Sequence, residues 1–69
     1  MFVVWDNNAI NLDFCGEFYV SGNEICFVHG SYPETEKTIL FDNETAANRN
    51  FNKIVQACFN GDKVFRIED

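Results

Sequence analysis

Four side chains in this sequence are of the types that bind metals or do thiol chemistry: Cys15, Cys26, His29 and Cys58. Cys26-x-x-His29 has the close spacing of half a zinc site, with Cys15 and Cys58 left to complete it. The residues around it read as a strand, however, and on a strand positions i and i+3 point to opposite faces. Cys15 and Cys58 also lack the close-spaced neighbours that zinc ligands usually have. A cysteine nucleophile needs a base and an orienting group beside it, which a single histidine permits but does not establish. A hairpin turning at Gly22-Asn23 sets Cys26 against Tyr19 or Val20 and leaves Cys15 remote, which weakens a redox pair. A metal- or redox-linked protein using these four residues is therefore the alternative reading. The leading one has no cofactor.

Carboxylates offer acid–base chemistry, and Asp6, Asp13, Glu17 and Glu24 are the candidates. Each is more simply a solvated residue in a turn or on the polar side of a strand. The span from Asp6 to Glu17 has the length of a calcium loop. It places Ile10 and Asn11 where such a loop needs a ligand and a glycine, and is rejected. Asn43-Glu44-Thr45 matches the glycosylation triplet, but Asn43 is better placed as a helix cap. No phosphate loop, nucleophile elbow or HExxH is present, so no enzyme is expected.

Composition narrows the remaining classes. Eleven acids against five bases give a formal charge of −6. Lys37, Arg49, Lys53, Lys63 and Arg66 are scattered, and direct nucleic-acid binding needs clustered cations. An acidic surface suits a basic protein partner, or occupation of a groove that binds nucleic acid. The chain is 46% hydrophobic with eight Phe, more aromatic surface than one helix on one thin sheet consumes. Some rings are thus expected to face a partner, including a second copy of the chain. Three cysteines without a leader-like start, and no apolar run near 20 residues, point to a reduced, cytoplasmic protein. The start at Met1 is read as that of a complete small gene product.

The elements that would position these groups follow from periodicity. Residues 42–61 read as the single helix, with Ala47, Phe51, Ile54, Val55 and Cys58 on one apolar stripe. Asp42 or Asn43 caps its start, Glu44 favours the positive end of its dipole, and Asn60-Gly61 stops it. Residues 2–5 are strand-prone. Residues 10–20 alternate as one long strand kinked at Gly16, or two short ones. Residues 25–29 form a return strand, apolar on both faces. Residues 30–37 are the one true loop, holding Tyr32, Pro33, Glu34 and Glu36, and strands follow at 38–41 and 63–67. The expected fold is α+β: one antiparallel sheet of four or five strands, order β-β-β-β-α-β, with the helix on one face. Residues 1–69 make a single domain, and the open face of the sheet offers Trp5, Tyr19, Val28 and Leu40 for dimerisation.

The run Ile39-Leu40-Phe41-Asp42-Asn43-Glu44-Thr45-Ala46-Ala47, followed by Phe51 and Ile54, resembles the strand, acidic turn and helix that end many short phage and mobile-element proteins. Size and acidity are also similar to those of small phage-encoded inhibitors of host defence, such as anti-CRISPR proteins. The first resemblance covers residues 39–59, the second implies an inhibitor, and neither assigns a functional residue. The residues expected to meet a partner are Tyr32, Glu34, Glu36, Asp42, Glu44, Trp5 and Tyr19. The partner is expected to be a basic, nucleic-acid-binding protein.

Overall fold

The computed structural model describes residues 1–30 and 35–68. Strand β1 (Phe2–Trp5) turns at Asp6-Asn7 into β2 (Asn8–Asn11), and the two pair antiparallel. Asp6 takes a φ of 48°, a left-handed conformation that Asp tolerates better than most side chains. A single 3-10 turn, Leu12–Phe14, follows. The Asn11 side chain accepts from the Asp13 main-chain N–H at 3.0 Å and closes it. This Asx turn resolves residues 10–20 into two short strands, since it gives the backbone a partner other than a sheet.

β3 (Cys15–Ser21) and β4 (Glu24–His29) form the expected hairpin, with Gly22 at a φ of 59° and Tyr19 opposite Cys26. Their register slips between Cys15 and Glu17, so the kink expected at Gly16 takes the form of a bulge. β5 (Thr35–Leu40) pairs antiparallel with β4 and begins earlier than residue 38, so Glu36 and Lys37 lie in a strand rather than in the loop.

The single sheet is not what forms. β1 lies between β2 and β6 (Val64–Arg66) in one three-stranded sheet, and β4 lies between β3 and β5 in another. β6 also runs parallel to β1, with Phe2 beside Val64, so the sheet is not antiparallel throughout. The physical reason is the crossover. A tight hairpin can only return antiparallel, whereas the helix between β5 and β6 lets the chain come back alongside β1.

Helix α1 (Glu44–Asn60) starts and stops where local chemistry dictates. Asn43, not Asp42, is the cap: its Oδ1 accepts from the Ala46 N–H at 2.8 Å. Gly61 ends the helix at a φ of 75°, its N–H directed at the Ala57 and Cys58 carbonyls. The buried stripe differs from the expected one. Ala46, Ala47, Asn50, Ile54 and Ala57 face inward, Phe51 and Val55 are half-buried, and Cys58 is exposed. Three alanines in the seam let the helix approach closely. One core then joins Val3 and Ile10 of the first sheet, Ile25, Phe27 and Ile39 of the second, and Ile54 of the helix. Phe27 is fully buried; its ring stacks on Phe18 at 5.8 Å, and Phe18 meets Phe51 at 5.5 Å.

Asn50 is the one polar side chain at full burial among the described residues. Its Nδ2 donates to the Ala46 carbonyl at 2.9 Å and to the Glu68 carbonyl at 2.6 Å, and its Oδ1 accepts from the Glu68 N–H at 3.0 Å. The amide thus pairs with the main chain of residue 68 as a neighbouring strand would. Lys53 Nζ adds a 2.7 Å contact to the Glu68 carboxylate and holds that carboxyl below its usual range, but both groups are exposed and the pair adds little. Replacing Asn50 by Ala removes these bonds and strands main-chain groups of residue 68, so unfolding in urea is expected about 2–3 kcal/mol easier. Asn50→Asp is expected to cost more, because a carboxylate would face two carbonyls. An Asn50→Ala loss under about 0.5 kcal/mol would show that the amide does not hold the terminus.

Candidate interaction surface

Alternation along β4 sends Ile25 and Phe27 into the core and Cys26 and Val28 to the opposite face. Register carries that outer face across the sheet: Tyr19, Cys26 and Thr38 lie in one row, and Glu17, Val28 and Glu36 in the next. Ser21, Glu24 and Leu40 make a third. The face therefore holds three carboxylates around Tyr19, Val28 and Leu40, and Leu40 is 70% exposed. The Tyr19 hydroxyl donates to Glu36 Oε2 at 3.4 Å, and the Thr38 hydroxyl to Cys26 Sγ at 3.9 Å. Cys26, through its hydrogen bond with the phenol and its like charge when ionised, and then the Glu36 carboxylate push the Tyr19 phenol above its ordinary pKa, because both favour the protonated phenol over a phenolate.

Of the residues expected at a partner surface, Tyr19 and Glu36 are brought together. Asp42 and Glu44 lie apart from them at the start of α1, where Asp42 lines a hollow with Phe41, Asn43 and Arg49. Trp5 does not share the outer face with Tyr19, Val28 and Leu40. It ends β1 in the other sheet, half-buried and packed against the core. Tyr32 and Glu34 lie outside the described residues. Ion pairs among the described residues join the Met1 ammonium to Asp13 at 3.3 Å and Lys53 to Glu68. Asp6, Glu17, Glu24, Glu36, Asp42, Glu44 and Asp62 have no ion-pair partner among the described residues.

A second region escaped the sequence reading. Cys58 and the turn after α1, the 3-10 turn and the start of β3 line an open cleft of about 620 Å³. Met1, Asp13, Cys15, Glu17, Cys58 and Asp62 are among its lining residues. Phe18 and Cys58 continue it into an apolar groove of about 370 Å³ with Val55 and Phe59, and Phe59 is 83% exposed. A signal was present: Phe51, Val55 and Phe59 recur every four residues, beside the stripe that packs on the sheets.

The cysteines are free, and they are dispersed. Cys26 is buried on the outer side of its sheet, while Cys15 and Cys58 line the cleft. Register does place Cys15 opposite His29, a proximity that spacing alone did not indicate. Burial pushes the Cys15 thiol up, the direction that suppresses its nucleophilic thiolate, and its Sγ lies 3.9 Å from the Asn11 carbonyl. Among the described residues no three of His, Cys, Asp and Glu gather as an ion-binding group. No helix of the described residues is long and apolar enough to cross a membrane.

Comparison with protein-family models, with curated proteins and with solved structures finds no match to this chain.

The outer face makes a titration prediction. In a Tyr32→Phe background only Tyr19 absorbs as a phenolate, and its midpoint is expected above that of a free tyrosine, about 10. Glu36→Gln is expected to bring it down, because the neutral amide no longer repels the phenolate. An ordinary midpoint unmoved by Glu36→Gln would separate the two side chains in solution.

Proposed function

We propose that the chain is a non-enzymatic protein-binding module that presents carboxylates to a basic partner. The observation that carries this is the outer face of the β3–β4–β5 sheet. Glu17, Glu24 and Glu36 stand there around Tyr19, Val28 and Leu40 without an ion-pair partner among the described residues. Exposed apolar side chains supply contact area, and surrounding charge supplies orientation and a fast approach. A cation-rich surface on the partner complements such a face, and nucleic-acid-binding proteins carry cation-rich surfaces as their working sites. Carboxylates spaced along strands stand in for phosphates there, so the bound module acts as a competitor for nucleic acid. The resemblance to small phage-encoded inhibitors implies an inhibitor, and competition for a nucleic-acid-binding groove is how these carboxylates would act as one.

Affinity capture from the native host tests the reading. The captured protein is expected to be basic, to be released by nucleic acid, and to elute as salt rises. At 0.5 M salt the screening length is about 4 Å, short enough to weaken exposed charge pairs. A Glu24→Gln/Glu36→Gln double variant is expected to bind less tightly and with a shallower salt dependence. Capture unaffected by 0.5 M salt, or an acidic partner, would overturn the proposal.

A further inference from the structure

The free edge of β3 is the second place where the structure is unfinished. β3 is the edge strand of its sheet, and none of the described strands pairs with its outer side. The Phe41 N–H bonds to the Asn23 carbonyl, so Asn23, Ile25 and Phe27 turn their main chain toward β5 and residues 24, 26 and 28 turn theirs toward β3. Their β3 partners are Ser21, Tyr19 and Glu17. By alternation, Phe18 and Val20 direct their N–H and C=O groups to the open side. Beside that edge lies the apolar groove of Phe18, Val55, Cys58 and Phe59, and the adjoining cleft carries Asp13, Glu17 and Asp62.

We infer that this edge takes one extended segment of a partner protein, in which apolar residues alternate with Lys or Arg. The inference rests on the protein-binding reading above and names the site and the chemistry of its occupant. A strand added beside β3 hydrogen-bonds to Phe18 and Val20, and successive side chains point to opposite faces. Every second side chain then enters the groove of Val55 and Phe59, and the intervening ones lie on the side of Glu17 and Tyr19. Charge selects the occupant: the cleft holds three carboxylates and one ammonium, that of Met1, already engaged by Asp13. A second copy of this −6 chain would set Glu17 and its acidic neighbours against their own kind. The Gly16 bulge and Glu17 are also devices that keep edge strands from pairing with themselves.

The test uses the full chain and an acetylated, amidated octapeptide of alternating lysine and valine, with a glutamate–valine peptide as control. One-to-one binding of the lysine peptide is expected, with slower hydrogen exchange at the Phe18 and Val20 amides and no binding of the control. Val55→Ser/Phe59→Ser adds no charge and alters side chains outside the core, and is expected to weaken binding about tenfold while circular dichroism is unchanged. Equal affinity in that variant, or unaltered exchange at Phe18 and Val20, overturns the inference. So does a dimer whose Phe18 and Val20 amides are protected without peptide, since a second copy then fills the edge. If a basic partner is captured whose binding ignores Val55→Ser/Phe59→Ser but responds to Glu24→Gln/Glu36→Gln, the edge site falls and the protein-binding reading survives.

Discussion

A buried amide fixes how the helix sits. Asn50 exchanges hydrogen bonds in both directions with the main chain of Glu68, and it can do so only if its side of α1 faces the core. That requirement sets the rotation of the helix about its own axis. At about 100° per residue, Ala46, Ala47, Asn50, Ile54 and Ala57 span roughly 100° of its circumference. Phe51, Val55, Cys58 and Phe59 occupy roughly the next 100°. The first arc is buried in the seam; the second is half-buried or exposed beside Phe18. The same bond pair tethers the residues after β6, and β6 completes the sheet centred on β1. Helix rotation, sheet completion and the apolar groove therefore share one cause.

Small size sharpens this dependence. A chain of 69 residues buries only about 60% of its unfolded surface, so its core leaves little margin. Here two three-stranded sheets and one helix share that core, with Phe27 at its centre. Among the described residues no further strand pairs with the outer edges of either sheet, and no helix covers the second face of the β3–β4–β5 sheet. Surface that a larger domain would cover internally is thus left outside, bordered by carboxylates. In the proposed reading a partner docks on such surface, and the acidic border selects which partners approach.

The features legible in sequence were the local ones. Asn43, Gly61, Gly16 and the Gly22 turn act through bonds within a few residues of themselves, so propensity and spacing identify them. Counting from the turn narrows the residue opposite Cys26 to Tyr19 or Val20, and the structure selects Tyr19. Partition into two sheets was not legible, because it depends on where the crossover delivers β6, a contact across more than sixty residues of chain. The buried stripe was misplaced because an apolar scale excludes Asn50 and includes Cys58; burial of the asparagine depends on a main-chain partner eighteen residues away. Tyr19 and Glu36 were legible as a pair only in type. Trp5 reads as an outer-face residue although its strand belongs to the other sheet, and the groove under Phe59 is hidden in the sequence because Val55 and Cys58 match the period of the core stripe.

Amide hydrogen exchange at Glu68 tests the governing contact most directly. With its N–H held by a fully buried asparagine, this residue near the end of the chain is expected to exchange far more slowly than an unstructured peptide, with protection comparable to that of the α1 interior. Exchange at the free-peptide rate in a protein whose helix amides stay protected would contradict it: Asn50 would then hold no terminus, and the helix rotation that exposes Val55 and Phe59 would lack its cause.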